Sequence, residues 1–297
     1  MQNEERAPGA YAAQSHDSMR AALETGFFAE LLPDLLRAAG GEGALLDLGC
    51  SDGLAARLAG SELRRYTGVD LREPAGGVPG EMVEHDLCDG LGPVGAAPFD
   101  VYLATFGFAS HLSPAELGRL LEEIVAHARP GSLVALEALG LHSLEWPRIW
   151  ETEPGPGRVL SYRLGAPVPV HPWGPLELGA IYEQAGIRVL RTLDRTVQAG
   201  PKVGEGGYWP GLPPLRDAMN RLLEGDSRPT ALADALPPLP AGPAAALHHE
   251  LAGRRRRMLT ASAGRTGPAA LARAVWALEP RSGGGFGHGL TVIGRVP

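Results

Sequence analysis

Apolar positions along this chain alternate between two spacings, and each stretch predicts an element. Ala44–Leu48 (ALLDL) is a short apolar run bounded by glycines, too short for a free-standing helix, which predicts a buried strand. Leu54–Ala59 follows as a helix and Tyr66–Val69 as a second strand. Ahead of them, Met19, Ala22 and Leu23, and then Phe27, Phe28, Leu31, Leu32, Leu35 and Leu36, recur at helical spacing. These predict two helices separated at Gly26, with Pro33 tolerated in the second or marking its start. Downstream, Pro114–His127 carries Leu117, Leu120, Leu121, Ile124 and Val125 on one face, behind a capping-box pattern of Ser113, Pro114 and Glu116. Glu177–Ala185 predicts a helix closed by Gly186, and Ile187–Val197 a strand. Helical signals return at Leu215–Glu224 and Ala244–Thr260, around a cluster of prolines, before a last strand at Gly289–Val296.

The chemistry concentrates between the first strand and its helix. Gly49 and Gly53 bracket Cys50, Ser51 and Asp52, so the backbone turns sharply and comes close to a ligand. The second strand delivers Asp70, where an acid accepts hydrogen bonds from both hydroxyls of a ribose. Asp47 and Asp52 make the turn acidic, which disfavours a pyrophosphate and suits a ligand bearing an ammonium or a sulfonium.

On these residues the chain resembles the class I S-adenosylmethionine-dependent methyltransferases. Asp47, Gly49 and Gly53 match that family's first motif, and Asp70 matches the acid that ends its second strand. The resemblance extends to Met82–Leu87 as a third strand, with Asp86 against the adenine amino group. It continues through Phe99–Thr105 as a fourth strand and Arg129–Leu136 as the turn and fifth strand, which ends at Glu137. It implies a doubly wound α/β fold whose seven-stranded sheet is mostly parallel, with an antiparallel last strand between the fifth and sixth. N-terminal helices (1–39) would form a lid, 40–199 and 286–297 the Rossmann-like core, and 200–285 a helical, Pro-rich cap insertion. It also implies S-adenosylmethionine as cofactor, bound by Asp47, Gly49, Cys50, Ser51, Gly53, Asp70, Leu71, Asp86, Leu87 and Thr105.

Two shorter stretches resemble the salicylate-type carboxyl methyltransferases. Tyr11–Ser15 (YAAQS) looks like their opening helix in Tyr11 and Ser15, although Gln14 replaces an Asn and Ser18 stands where they carry a Gln. His111-Leu112-Ser113 looks like their Leu-His-Trp-Leu-Ser loop without its Trp. That loop follows the fourth strand, at the sheet end where ligands bind, so His111 is the first candidate base and His142 the second. A hydroxyl, phenol or amine acceptor needs such a base, whereas a carboxylate needs none. Candidate acceptor contacts are Tyr11, Gln14, Phe106, Trp146, Tyr208 and Trp209, with Trp150 and Trp173 as further aromatics. The connection Gly140–Pro172 reads as long and irregular. The piece 200–285 reads as a cap over the acceptor or as a dimerisation arm. Arg254–Arg257 spread around a helix as a solvated face, and Ser282–Gly289 (SGGGFGHG) reads as a flexible return, since it lacks the Lys and following helix of a phosphate loop.

Composition narrows the function further. A formal net charge of −7 over 297 residues excludes nucleic-acid binding through bulk electrostatics and favours a small-molecule substrate. Two cysteines cannot form a disulfide framework, and no HExxH or CxxC spacing suggests a metal. The N-terminus has no apolar signal core, and no run of about 18 apolar residues marks a membrane span, so a cytoplasmic protein is expected, with a homodimer open. Methyl transfer to a small acceptor, with O-methylation favoured, is the leading function. Cyclisation of the cofactor's own side chain, protein or N-methylation, and a non-catalytic binding role remain open.

Overall fold

The computed structural model describes residues 17–74, 76–153, 158–164, 166–198, 215–226, 232 and 236–297. Its strands are β1 (Ala44–Leu48), β2 (Arg65–Asp70), β3 (Glu81–Glu84), β4 (Val101–Ala104), β5 (Leu133–Leu139), β6 (Leu160–Leu164), β7 (Ala166–Val170), β8 (Arg188–Arg195) and β9 (Gly289–Arg295). Seven of them form one sheet in the order β3-β2-β1-β4-β5-β9-β8, and β6 and β7 form a separate antiparallel ribbon. From β3 through β5 the pairs are parallel, with Asp47 in register with Gly68 on one side and Leu103 on the other. β9 runs against β5, because the amide of Gly131 meets the Val296 carbonyl near one end and the amide of Gly140 meets the His288 carbonyl near the other. The antiparallel last strand therefore lies where the resemblance put it, between the fifth and sixth strands of the sheet.

The chain divides into two compact units. One comprises Phe27–Ala138, Trp173–Thr192 and Thr291–Pro297 and holds most of the sheet. Its helices are α1 (Thr25–Ala39, from Phe27 on), α2 (Leu54–Ala59), α3 (Pro114–His127) and α4 (Pro175–Gln184). β1 is buried at every position, as a central parallel strand covered on both faces should be. The capping box of α3 forms as the sequence predicts. Glu116 Oε2 accepts from the Ser113 amide at 2.7 Å, and Ser113 Oγ accepts from the Glu116 amide at 3.3 Å. Tyr182 of α4 ties β5 to β9. Its hydroxyl accepts from the Leu136 amide at 3.1 Å and donates to the Val292 carbonyl at 3.0 Å.

The other unit takes Met1–Gly26, Leu139–Pro172 and Leu193–Leu290, and its described helices include α5 (Leu215–Leu223), α6 (Pro243–Ser262) and α7 (Pro268–Trp276). One apolar cluster joins Met19 and Leu23 to Leu215, Met219, Leu222, Leu259, Leu271 and Val275. Within this unit Arg216 is buried with both guanidinium edges engaged. Nη1 and Nη2 donate to the two oxygens of Glu24 at 2.8 and 3.0 Å, and Nε donates to Asp17 Oδ2 at 2.7 Å. Arg195 Nη1 also pairs with Glu24, at 2.8 Å.

Several expectations change. Gly26 does not separate two helices: the chain is helical from Ser18 to Ala39, with a π-helical turn at Arg20–Glu24 and Pro33 inside α1. The cost of an internal Gly, about 1 kcal/mol, is small beside the burial of Leu23, Phe27, Phe28 and Leu32 around it. The connection 140–172 is not irregular, since it contains the β6–β7 ribbon and a 3₁₀ turn at Pro147–Ile149. It also leaves the core as delimited from sequence, because Leu141, Trp146, Ile149, Trp150 and Val170 bury their side chains together with Ala245. Arg255 is not solvated but 1% exposed, and only its neighbours in the run face water. Ser282–Gly289 is pinned rather than loose. Asp194 accepts from the amides of Gly284 and Gly287 at 2.7 and 3.2 Å, and the Gly284 carbonyl lies 3.1 Å from His142 Nδ1, within hydrogen-bond distance.

Removing Arg216 leaves Asp17 and Glu24 short of a buried cation. Arg216→Ala is expected to destabilise the protein by about 3–5 kcal/mol, read from urea unfolding, and a loss below about 1 kcal/mol would contradict the network's weight.

Candidate functional site

The turn after β1 is stitched to the end of β2. The amides of Gly49 and Cys50 both donate to the Val69 carbonyl, at 2.8 and 3.1 Å, and the Gly53 amide closes back on the Cys50 carbonyl at 2.9 Å. Gly49 has φ +71°, and a Cβ there would lie 2.5 Å from the Phe108 ring. Ser51, between the two glycines, has φ +49°. That left-handed conformation costs a residue with a Cβ about 1 kcal/mol or more. The sequence does not announce this strain, since Ser is an ordinary turn residue.

Asp70 is the acceptor at this corner. Its Oδ2 accepts from the Ser51 amide at 2.8 Å and its Oδ1 from the Leu71 amide at 2.8 Å. Each oxygen thus has one fixed donor and keeps a lone pair. Burial raises the pKa of Asp70, and the two amides oppose that shift. Asp47 lies below, 1% exposed. Its Oδ2 accepts from the Tyr66 hydroxyl at 2.8 Å, while Oδ1 is buried and has no hydrogen-bond partner among the described residues. Burial pushes its pKa up to about 7, opposed by the Tyr66 hydrogen bond and reinforced by the charges of Asp70 and Asp52. Asp52 is exposed, and Arg57 pairs with it at 2.7 Å, so the outer acid of the turn is compensated locally.

The remaining candidates fall in three groups. Asp47, Gly49, Cys50, Ser51, Gly53, Asp70, Leu71, Asp86, Leu87, Thr105, Phe106 and His111 all belong to the unit that holds most of the sheet. Among them Cys50 turns its thiol inward, 3.6 Å from the Met82 sulfur. The third strand stops at Glu84 rather than running to Leu87. Asp86 instead caps a 3₁₀ turn at Leu87–Asp89, accepting from the Cys88 amide at 3.0 Å. Phe106 follows β4 with φ +55° and packs on Phe28, with ring centroids 4.9 Å apart. His111 ends the 3₁₀ turn Phe108–His111, half-buried. Trp146 does not wall an acceptor: it is fully buried in the other unit, and its indole donates to the Gly140 carbonyl at 2.9 Å. Trp150 is likewise core, donating to the Ser143 carbonyl at 3.0 Å. Tyr11, Gln14, Tyr208 and Trp209 lie outside the described residues.

Sequence reasoning passed over Tyr66, Phe108 and a buried pair in the other unit, His288 Nδ1 and Glu145 Oε1, 2.5 Å apart. For Tyr66 a signal existed, since Tyr66, Gly68 and Asp70 alternate onto one face of β2.

No protein-family model matches the chain, and no curated protein matches it. Solved structures to which it is similar include an S-adenosylmethionine-dependent methyltransferase from Clostridium acetobutylicum (10% identity, 67% of this chain, 94% of that one, TM-score 0.47). Another is a methyltransferase dependent on the same cofactor from Archaeoglobus fulgidus (16% identity, 96% and 99%, TM-score 0.47). A third is 1,6-didemethyltoxoflavin-N1-methyltransferase from Burkholderia thailandensis, with bound 1,6-didemethyltoxoflavin and S-adenosylhomocysteine (21% identity, 65% and 84%, TM-score 0.40).

The raised pKa of Asp47 sets a pH dependence of stability. The folded state holds a proton that the unfolded chain releases near pH 4, so Asp47's contribution is fully present below pH 4 and is lost as pH rises through about 7. Asp47→Asn keeps an acceptor for Tyr66 and removes the titration. The stability of this variant relative to the parent is expected to grow between pH 5 and pH 8 in urea unfolding; a constant difference would contradict the shift.

Proposed function

We propose that the protein is an S-adenosylmethionine-dependent methyltransferase acting on a small-molecule acceptor, with a carboxylate, phenol or hydroxyl oxygen as the favoured methylated atom. The observation that carries this reading is Asp70: a carboxylate at the end of β2, held by the Ser51 and Leu71 amides, with both oxygens able to take a ribose hydroxyl. The residues around it fit such a cofactor. The Gly49–Gly53 turn lets backbone approach a ligand, and the buried, unpartnered Oδ1 of Asp47 disfavours a phosphate and suits a cationic group. When bound, the cofactor supplies an electrophilic methyl group on a sulfonium.

The protein's part would then be positioning and exclusion of water more than strong electrostatic catalysis. Asp70 orients the ribose and Asp86 the adenine. His111, in the turn after β4, takes the acceptor's proton where the acceptor is a phenol or hydroxyl, whereas a carboxylate acceptor arrives deprotonated.

The test is turnover of methyl-labelled cofactor against a panel of acids, phenols, alcohols and amines, with products weighed. The expected result is label on one acceptor class and release of S-adenosylhomocysteine. A product derived from the cofactor alone, or no binding at all, would overturn the proposal. Asp70→Ala is expected to weaken cofactor binding at least about tenfold, from loss of two charge-assisted hydrogen bonds, while the protein still folds and unfolds cooperatively. Unchanged affinity in calorimetry would refute the ribose assignment.

A further inference from the structure

Tyr66 is 4% exposed and reaches across from β2 to the central strand, where its hydroxyl donates to Asp47 Oδ2 at 2.8 Å. The residue between it and Asp70 on that face is Gly68. A Cβ at Gly68 would lie 2.7 Å from the Cys50 sulfur and 3.2 Å from the Tyr66 hydroxyl, so a side chain there would clash with Cys50 and crowd this reach. The groups acting on Asp47 are Tyr66, Asp70 from β2 and Asp52 from the turn, with the Cys50 thiol alongside; β4 opposes it with Leu103. Tyr66 is thus the donor that the structure gives Asp47, and it occupies one oxygen and leaves the other.

We infer that Tyr66 is a positioning residue of the cofactor site: by holding Oδ2 it fixes the Asp47 carboxylate so that Oδ1 stays available to the cationic, amino-acid end of the cofactor. This rests on the methyltransferase reading above. Without the hydroxyl, Asp47 is a buried carboxyl with no donor, it holds its proton to higher pH, and its charge is absent when the cationic ligand arrives.

Calorimetry of the parent and Tyr66→Phe with S-adenosylmethionine and with 5′-methylthioadenosine, which lacks the amino-acid end and the sulfonium, separates the two halves of the site. At pH 7 the variant is expected to bind S-adenosylmethionine about tenfold more weakly than the parent, and the ratio narrows toward pH 8.5 as Asp47 ionises. Its affinity for 5′-methylthioadenosine stays within about twofold of the parent's. Equal losses for both ligands, or a loss that does not change with pH, would show a merely structural role and overturn the inference. Should Tyr66→Phe fail to fold, Asp47→Asn decides. It must lose discrimination in favour of S-adenosylmethionine above pH 7, and parental discrimination overturns the inference. A parent that binds neither ligand instead overturns the cofactor reading itself.

Discussion

The structure depends on a carboxylate buried at the end of its central strand. Placing Asp47 out of water carries a penalty of several kcal/mol if it is ionised and unpaired, and the protein meets this with one hydrogen bond from Tyr66 and a pKa near neutrality. The residues above Asp47 keep that group dry yet uncompensated on one oxygen. The turn folds over it, bonded through Gly49 and Cys50 to the end of β2, and the cation that the turn's acids gather, Arg57, sits on the exposed Asp52.

Strain gathers at the same edge of the sheet. Ser51 after β1 and Phe106 after β4 both hold left-handed backbone conformations without being glycine, and each is held by neighbours, Ser51 through its amide on Asp70 and Phe106 through its packing on Phe28. Such residues persist when the surroundings over-determine them. Both follow strands whose carboxyl ends point to the side where open α/β sheets bind ligands, so the strain lies where the proposed site does.

The strands and the Gly turn at Gly49–Gly53 could be read from the sequence because they rest on local rules: apolar runs, spaced glycines, an acid at a strand end; the place of the last strand came from the family resemblance. The α3 capping box could be read for the same reason. What could not be read depends on which positions the packing buries and on partners that no local pattern names. Gly26 looks like a break until the burial of Leu23 on one side and Phe27 on the other carries the helix through it. Trp146 looks like a pocket wall until the Gly140 carbonyl claims its N–H. Arg255 is indistinguishable in sequence from its three neighbours, yet helical rotation alone turns it inward. The glycines of 282–289 look loose because their anchor, Asp194, lies far away in the chain. For Tyr11, Gln14, Tyr208 and Trp209 the acceptor contacts remain a sequence expectation.

The most direct test of the cofactor corner is a crystal structure with S-adenosylhomocysteine. Both ribose hydroxyls are expected within hydrogen-bond distance, about 3.2 Å or less, of the two oxygens of Asp70, with the ligand's amino-acid end over the Gly49–Gly53 turn. A ligand bound elsewhere, or a ribose whose hydroxyls do not meet the Asp70 carboxylate, would contradict that placement.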